Sequence, residues 1–136
     1  MYQKILVPVD VNHLDRANVM LETARKLGGD EAEIILAHIM EAIPTYIAIQ
    51  IPSEYADAAK KEVHDALSQL AEVAGGATEI DIRTGYAAEG ILDIADEKDA
   101  DTIILASHRP GIDDYFLGST AARVVRHAKC TVVVIR

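Results

Sequence analysis

Five short apolar runs alternate along the chain with segments whose apolar residues recur every three or four positions. The runs cover residues 4–10 (KILVPVD), 33–40 (EIILAHIM), 78–84 (TEIDIRT), 101–107 (DTIILAS) and 131–136 (TVVVIR). Each has the length of a β-strand. Between the first two, Leu14, Ala17, Leu21, Ala24 and Leu27 form a helical stripe over 14–27, which Gly28-Gly29 stops. Ser53 is placed to cap a long helix over 53–74, with Tyr55, Ala59, Val63, Ala66, Leu70 and Val73 on one face, ended by Gly75-Gly76. Shorter helices are expected over 88–98 and 119–127. Strand and helix thus alternate from end to end, the order of a parallel sheet with right-handed crossovers and helices on both faces.

Strand chemistry bears on strand order. The first, second and fourth runs are nearly continuously apolar, as strands covered on both faces must be. The third puts Glu79, Asp81 and Arg83 on one face and suits an edge. The fifth ends the given sequence with four consecutive apolar residues, Val132 to Ile135, which suits a central strand or one covered by another subunit. In the order 3-2-1-4-5 it would be an open edge, and pairing with its own copy across a two-fold axis would remove that liability. A homodimer through residues 131–136 is therefore expected.

Composition narrows the class. A chain of 136 residues fits one domain, 1–136, and a hydrophobic share of 50% is ample for its core. The net charge of −9 opposes nonspecific nucleic-acid binding, which needs clustered Lys and Arg. Cys130 is the single cysteine, so neither an intrachain disulfide nor a cysteine-based zinc site is available. His13 and His38 lack metal-ligand spacing, and no metal site is assigned. Signal-peptide patterning and runs of membrane-spanning length are both missing, which points to the cytoplasm and no membrane insertion.

In open parallel sheets, ligands bind beyond the carboxyl ends of the strands where the winding reverses. For order 3-2-1-4-5 that point lies between strands one and four. Two segments converge there: Pro8-Val9-Asp10-Val11-Asn12, and Ala106-Ser107-His108-Arg109-Pro110-Gly111, which runs on to Gly118-Ser119-Thr120. The helix start at Gly118 offers unpaired amides to a phosphate, although a tight turn with a capping Ser119 explains the same residues. Asp10 suits ribose hydroxyls or a helix start. Arg109 suits a phosphate or plain solvent, and His108 a ligand or a backbone carbonyl. The connection 41–52 carries Ile43, Tyr46, Ile47, Ile49 and Ile51, unusually apolar for a surface loop. It could close over a base or meet a partner, but a small core of its own is the commonest outcome for such a segment.

The opening KILVPVD, and the stretch ASHRPGIDDYFLGSTAARVVRHAKCTVVVIR over 106–136, resemble the universal stress protein family. The likeness extends along the whole chain and is most specific in its C-terminal third. It implies a flavodoxin-like, adenine nucleotide alpha hydrolase-like fold. Members that bind ATP show Gly, two residues, Gly, nine residues, then Gly with Ser or Thr. Here Ala106 stands at the first glycine, Arg109-Pro110 replaces the second, and the loop to Gly118 is one residue shorter. The Ser-His-Arg-Pro and Leu-Gly-Ser forms are similar to a subgroup of small stress proteins that bind adenine nucleotides, with the Arg109 guanidinium offsetting the lost glycine.

The resemblance implies a binding role for each matching residue. Pro8, Val9 and Asp10 would line adenine and ribose, and the Ile39 backbone would meet the adenine edge. Ala106, Ser107, His108 and Arg109 would border ribose and phosphates, and Gly118, Ser119 and Thr120 would hold the phosphates. The ligand would be ATP or AMP, with or without Mg2+, in a regulatory stress-response dimer that answers to an unidentified regulatory protein. The alternative is a nucleotide-free dimeric interaction module. An enzyme is not expected, because there is no His-x-Gly-His pair and no Ser/His/Asp arrangement; weak ATP hydrolysis or self-phosphorylation stays open.

Overall fold

The computed structural model describes residues 2–76, 78–107 and 118–136. Along the chain run β1 (Lys4–Pro8), α1 (Leu14–Gly28), β2 (Glu33–Glu41), α2 (Thr45–Ala48), α3 (Ser53–Ala74), β3 (Thr78–Gly85), α4 (Ala87–Glu97), β4 (Thr102–Ala106), α5 (Ser119–His127) and β5 (Thr131–Ile135). The five strands are all parallel, in the order β3-β2-β1-β4-β5. The winding reverses between β1 and β4, β3 takes the edge its polar face suits, and β5 lies at the opposite edge rather than in the middle of the sheet.

Alternation along each strand divides the core. Ile5, Val7, Ile34, Leu36 and Ile104 face α1 and α3, where Ala17, Met20, Leu21, Ala24, Val63, Leu67 and Leu70 are buried against them. Leu6, Ile35, Ala37, Ile103 and Leu105 face α4 and α5, meeting Ala88, Ile91, Ile94, Ala95, Ala121 and Val124. Truncating one of the large buried side chains, such as Ile35 to alanine, removes about 2–5 kcal/mol of stability.

The packing corrects several sequence expectations. Leu14 and Leu27, at the ends of the α1 stripe, are exposed, while Met20 is buried. On α3, Tyr55 and Val73 are exposed, and the buried face is Val63, Leu67 and Leu70. Ser53 is the first helical residue and makes no capping hydrogen bond; Pro52 occupies the cap position. The connection 41–52 holds the short helix α2, and Ile43, Tyr46, Ile47, Ile49 and Ile51 are all exposed. No second core forms there, because residues 53–62 of α3, which follow it, are exposed themselves.

Arg25 joins three segments. Its Nε donates to Ala74 O at 2.9 Å, its Nη1 to Ala32 O at 2.8 Å and Gly29 O at 3.0 Å, and its Nη2 to Gly75 O. One guanidinium thereby satisfies carbonyls at the ends of both α1 and α3, which helices otherwise leave without partners. Gly29 and Gly75 have φ of 78° and 67°, the left-handed conformation that turns those carbonyls toward it.

The β3 edge carries an ionic lattice. Arg83 Nε meets Asp81 Oδ1 at 3.0 Å and its Nη2 meets Glu97 Oε2 at 2.5 Å, while Lys98 pairs with Glu79 and lies 3.6 Å from Asp81 Oδ2. The Arg83 hydrogen bond holds the Asp81 carboxyl below its ordinary value, against the opposing effect of burial. A depressed folded pKa contributes stability above the unfolded value and loses it as pH falls through the folded one. Denaturant titration should therefore show Arg83→Met costing stability at pH 7, with the gap from wild type closing from about pH 4 downward. A gap that is constant across that range would refute the coupling.

Candidate functional site

Beyond the carboxyl ends of β1 and β4 lies a cleft of about 760 Å³, within the range of small-molecule sites. The β1 strand stops at Pro8, two residues short of the expected end, because the chain turns at Asp10. Asp10 Oδ1 accepts the Asn12 amide at 3.0 Å, and its carbonyl accepts the His13 amide at 2.9 Å. This local turn directs the chain into α1 and leaves Oδ2 facing His13 Nε2 at 3.9 Å. The Val9 backbone is fixed on both sides. Its amide donates to Ala37 O at 2.7 Å, and its carbonyl accepts from His38 Nδ1 at 2.8 Å when that nitrogen carries the proton.

Across the cleft, Ala106 ends β4, and the Ser107 amide bonds Ile135 O at 2.8 Å. The α5 helix opens with Ser119 in its first turn and Gly118 in the cap position, with no side-chain cap. Ser119 is therefore not the cap. The amides at the start of α5 have no acceptor within the helix. Gly118 has φ −58° and ψ 156°, angles open to any residue, and a Cβ there would meet nothing within 4 Å. Neither backbone conformation nor packing against the described residues calls for glycine at this position.

Pro8, Val9, Asp10, Ile39, Ala106, Ser107, Gly118, Ser119 and Thr120 all line this one cleft, so nine of the eleven expected positions converge. The other two, His108 and Arg109, lie outside the described residues. The sequence reading missed His13, Arg16, His38 and Glu41, which also line the cleft. Helical spacing could have found the first two: His13, Arg16, Ala17 and Met20 recur at three and four positions on the α1 face that meets the cleft.

The donor set fits an adenine nucleotide. Val9, Ile39, Leu105 and Ala106 offer apolar wall for a base, Asp10 keeps a carboxylate oxygen for hydroxyl groups, and the α5 start offers amides for phosphate. The edge lattice at Asp81 and Arg83 lies outside the cleft lining.

Such an architecture is that of an open, doubly wound α/β protein with a ligand cleft at its switch point. The model of the universal stress protein family matches residues 1–136, and the chain belongs to that family. It is 29% identical to universal stress protein G of Shigella flexneri, with all of both chains covered. Among solved structures, universal stress protein UspA from Lactobacillus plantarum superposes with a TM-score of 0.76 at 26% identity, covering 99% of this chain and 98% of that one. The universal stress protein from Archaeoglobus fulgidus in complex with dAMP superposes with a TM-score of 0.68 at 25% identity, covering 99% and 98%.

Proposed function

We propose that this protein binds an adenine nucleotide, ATP or AMP, in the β1/β4 cleft and acts as a non-catalytic regulatory dimer. The observation that carries the reading is the meeting of Asp10 with the open α5 start across one cleft. In this reading the base lies against Val9 and Ile39, the ribose hydroxyls donate to Asp10 Oδ2, and the phosphates accept from the Gly118–Thr120 amides. The dAMP complex of the Archaeoglobus fulgidus relative supports the ligand class. Mg2+ would add charge neutralisation on a triphosphate. Calorimetry with ATP, ADP and AMP should give saturable heats for at least one of them; three flat titrations would overturn the assignment.

The dimer rests on β5. This strand pairs with β4 on one side and with no other strand among the described residues, and Val132 to Ile135 are half-buried at that edge. Light scattering at micromolar concentration should report twice the chain mass, and repeating it with ATP tests whether nucleotide shifts the assembly. A stable monomer would end the dimer proposal.

The second reading, a nucleotide-free interaction module, draws on the exposed Ile43, Tyr46 and Ile49 and on Ala106 at a glycine position. Flat calorimetry together with a dimer would favour it.

A further inference from the structure

We infer that Arg16, on the first turn of α1, is a phosphate-reading residue, so that the cleft selects charged adenine nucleotides over the uncharged nucleoside. The inference rests on the nucleotide-binding reading and assigns it a residue outside the Ser-His-Arg-Pro and Leu-Gly-Ser segments. Arg16 lines the same cleft as Gly118, Ser119 and Thr120. It is half-buried, and among the described residues its guanidinium makes neither an ion pair nor a hydrogen bond. Two carboxylates share the lining, Asp10 and Glu41, yet neither forms an ion pair with it. An arginine that gives up part of its hydration while pairing with neither cleft carboxylate is placed for a ligand anion rather than for the fold.

Charge balance points the same way. The chain carries a net charge of −9, so a polyphosphate entering it needs a local cation. Among the described cleft-lining residues, Arg16 is the one permanent cation; of the two histidines there, His13 faces Asp10 and His38 bonds the Val9 carbonyl. The five guanidinium donors of Arg16 on the α1 wall and the amides of the α5 start then bracket the phosphate chain from two sides. Adenosine, lacking phosphate, would engage neither.

The test is calorimetry of wild type, Arg16→Ala, Arg16→Gln and Arg16→Lys with adenosine, AMP and ATP. Loss of a charge-assisted contact should weaken ATP binding about tenfold or more in the Ala and Gln variants. Adenosine affinity should stay within about twofold of wild type, and Lys should recover part of the loss. Unchanged ATP affinity in the Ala and Gln variants, or a parallel fall for adenosine, would overturn the role of Arg16 while leaving nucleotide binding intact. A wild type that binds none of the three ligands would overturn both the role and the reading beneath it.

Discussion

Gly118→Ala should yield a folded protein whose affinity for AMP and ATP is about a hundredfold lower. The free structure tolerates the methyl group: φ and ψ are ordinary, and beyond its chain neighbours no described residue lies within 4 Å of the added carbon. The folding cost is confined to a poorer helix cap and stays below about 1 kcal/mol. The bound state differs. A phosphate seated on the first amides of α5 must approach the Gly118 backbone closely, and a methyl group there would stand off the oxygens from two charge-assisted hydrogen bonds. At about 1.5 kcal/mol each, their loss corresponds to roughly a hundredfold in the dissociation constant. Thermal melts paired with calorimetry check both halves. An unchanged affinity would show that ligand does not rest on this helix start, and a large drop in melting temperature would make the glycine structural.

The second large effect is on stability. Arg25→Ala should lower the unfolding free energy by about 2–3 kcal/mol in urea titration, because it takes the guanidinium from the Ala32 and Ala74 carbonyls and leaves Gly29 and Gly75 with one donor fewer each. Arg25→Lys should recover little, since one ammonium cannot reproduce a planar fork aimed at two chain segments. A loss below about 0.5 kcal/mol would mean that water serves those carbonyls equally well. Arg25 is one of two basic residues in the last turn of α1. Its partners Ala74 and Gly75 lie about fifty positions away, so no local pattern could announce it.

The candidate site was legible where local chemistry and topology coincide. Pro8-Val9-Asp10 follows an apolar strand, and Gly118-Ser119-Thr120 opens a helix; strand order alone then brings both to the same crevice. His38 was seen only as a histidine without metal spacing, because its bond to Val9 O joins neighbouring strands that are distant in sequence. Of the readings open to the connection 41–52, a small core of its own is the one the exposed side chains remove, for a related reason. Its apolar content was plain, but burial needs an opposing layer, and the first ten residues of α3 provide none.

What the chain's own pattern determined was the five strands, the four longer helices and the edge place of β3. Hydrophobic period and glycine stops act over a few residues, and a continuously apolar strand needs cover on both faces, which the middle of the sheet gives β1, β2 and β4. What the tertiary structure alone decided was which polar groups come together: Arg25 at the ends of two helices, Arg83 with Asp81 and Glu97, and Arg16 in the same cleft lining as the α5 start. Those encounters depend on the directions of side chains from separate elements, and a one-dimensional pattern carries no information about direction between distant segments.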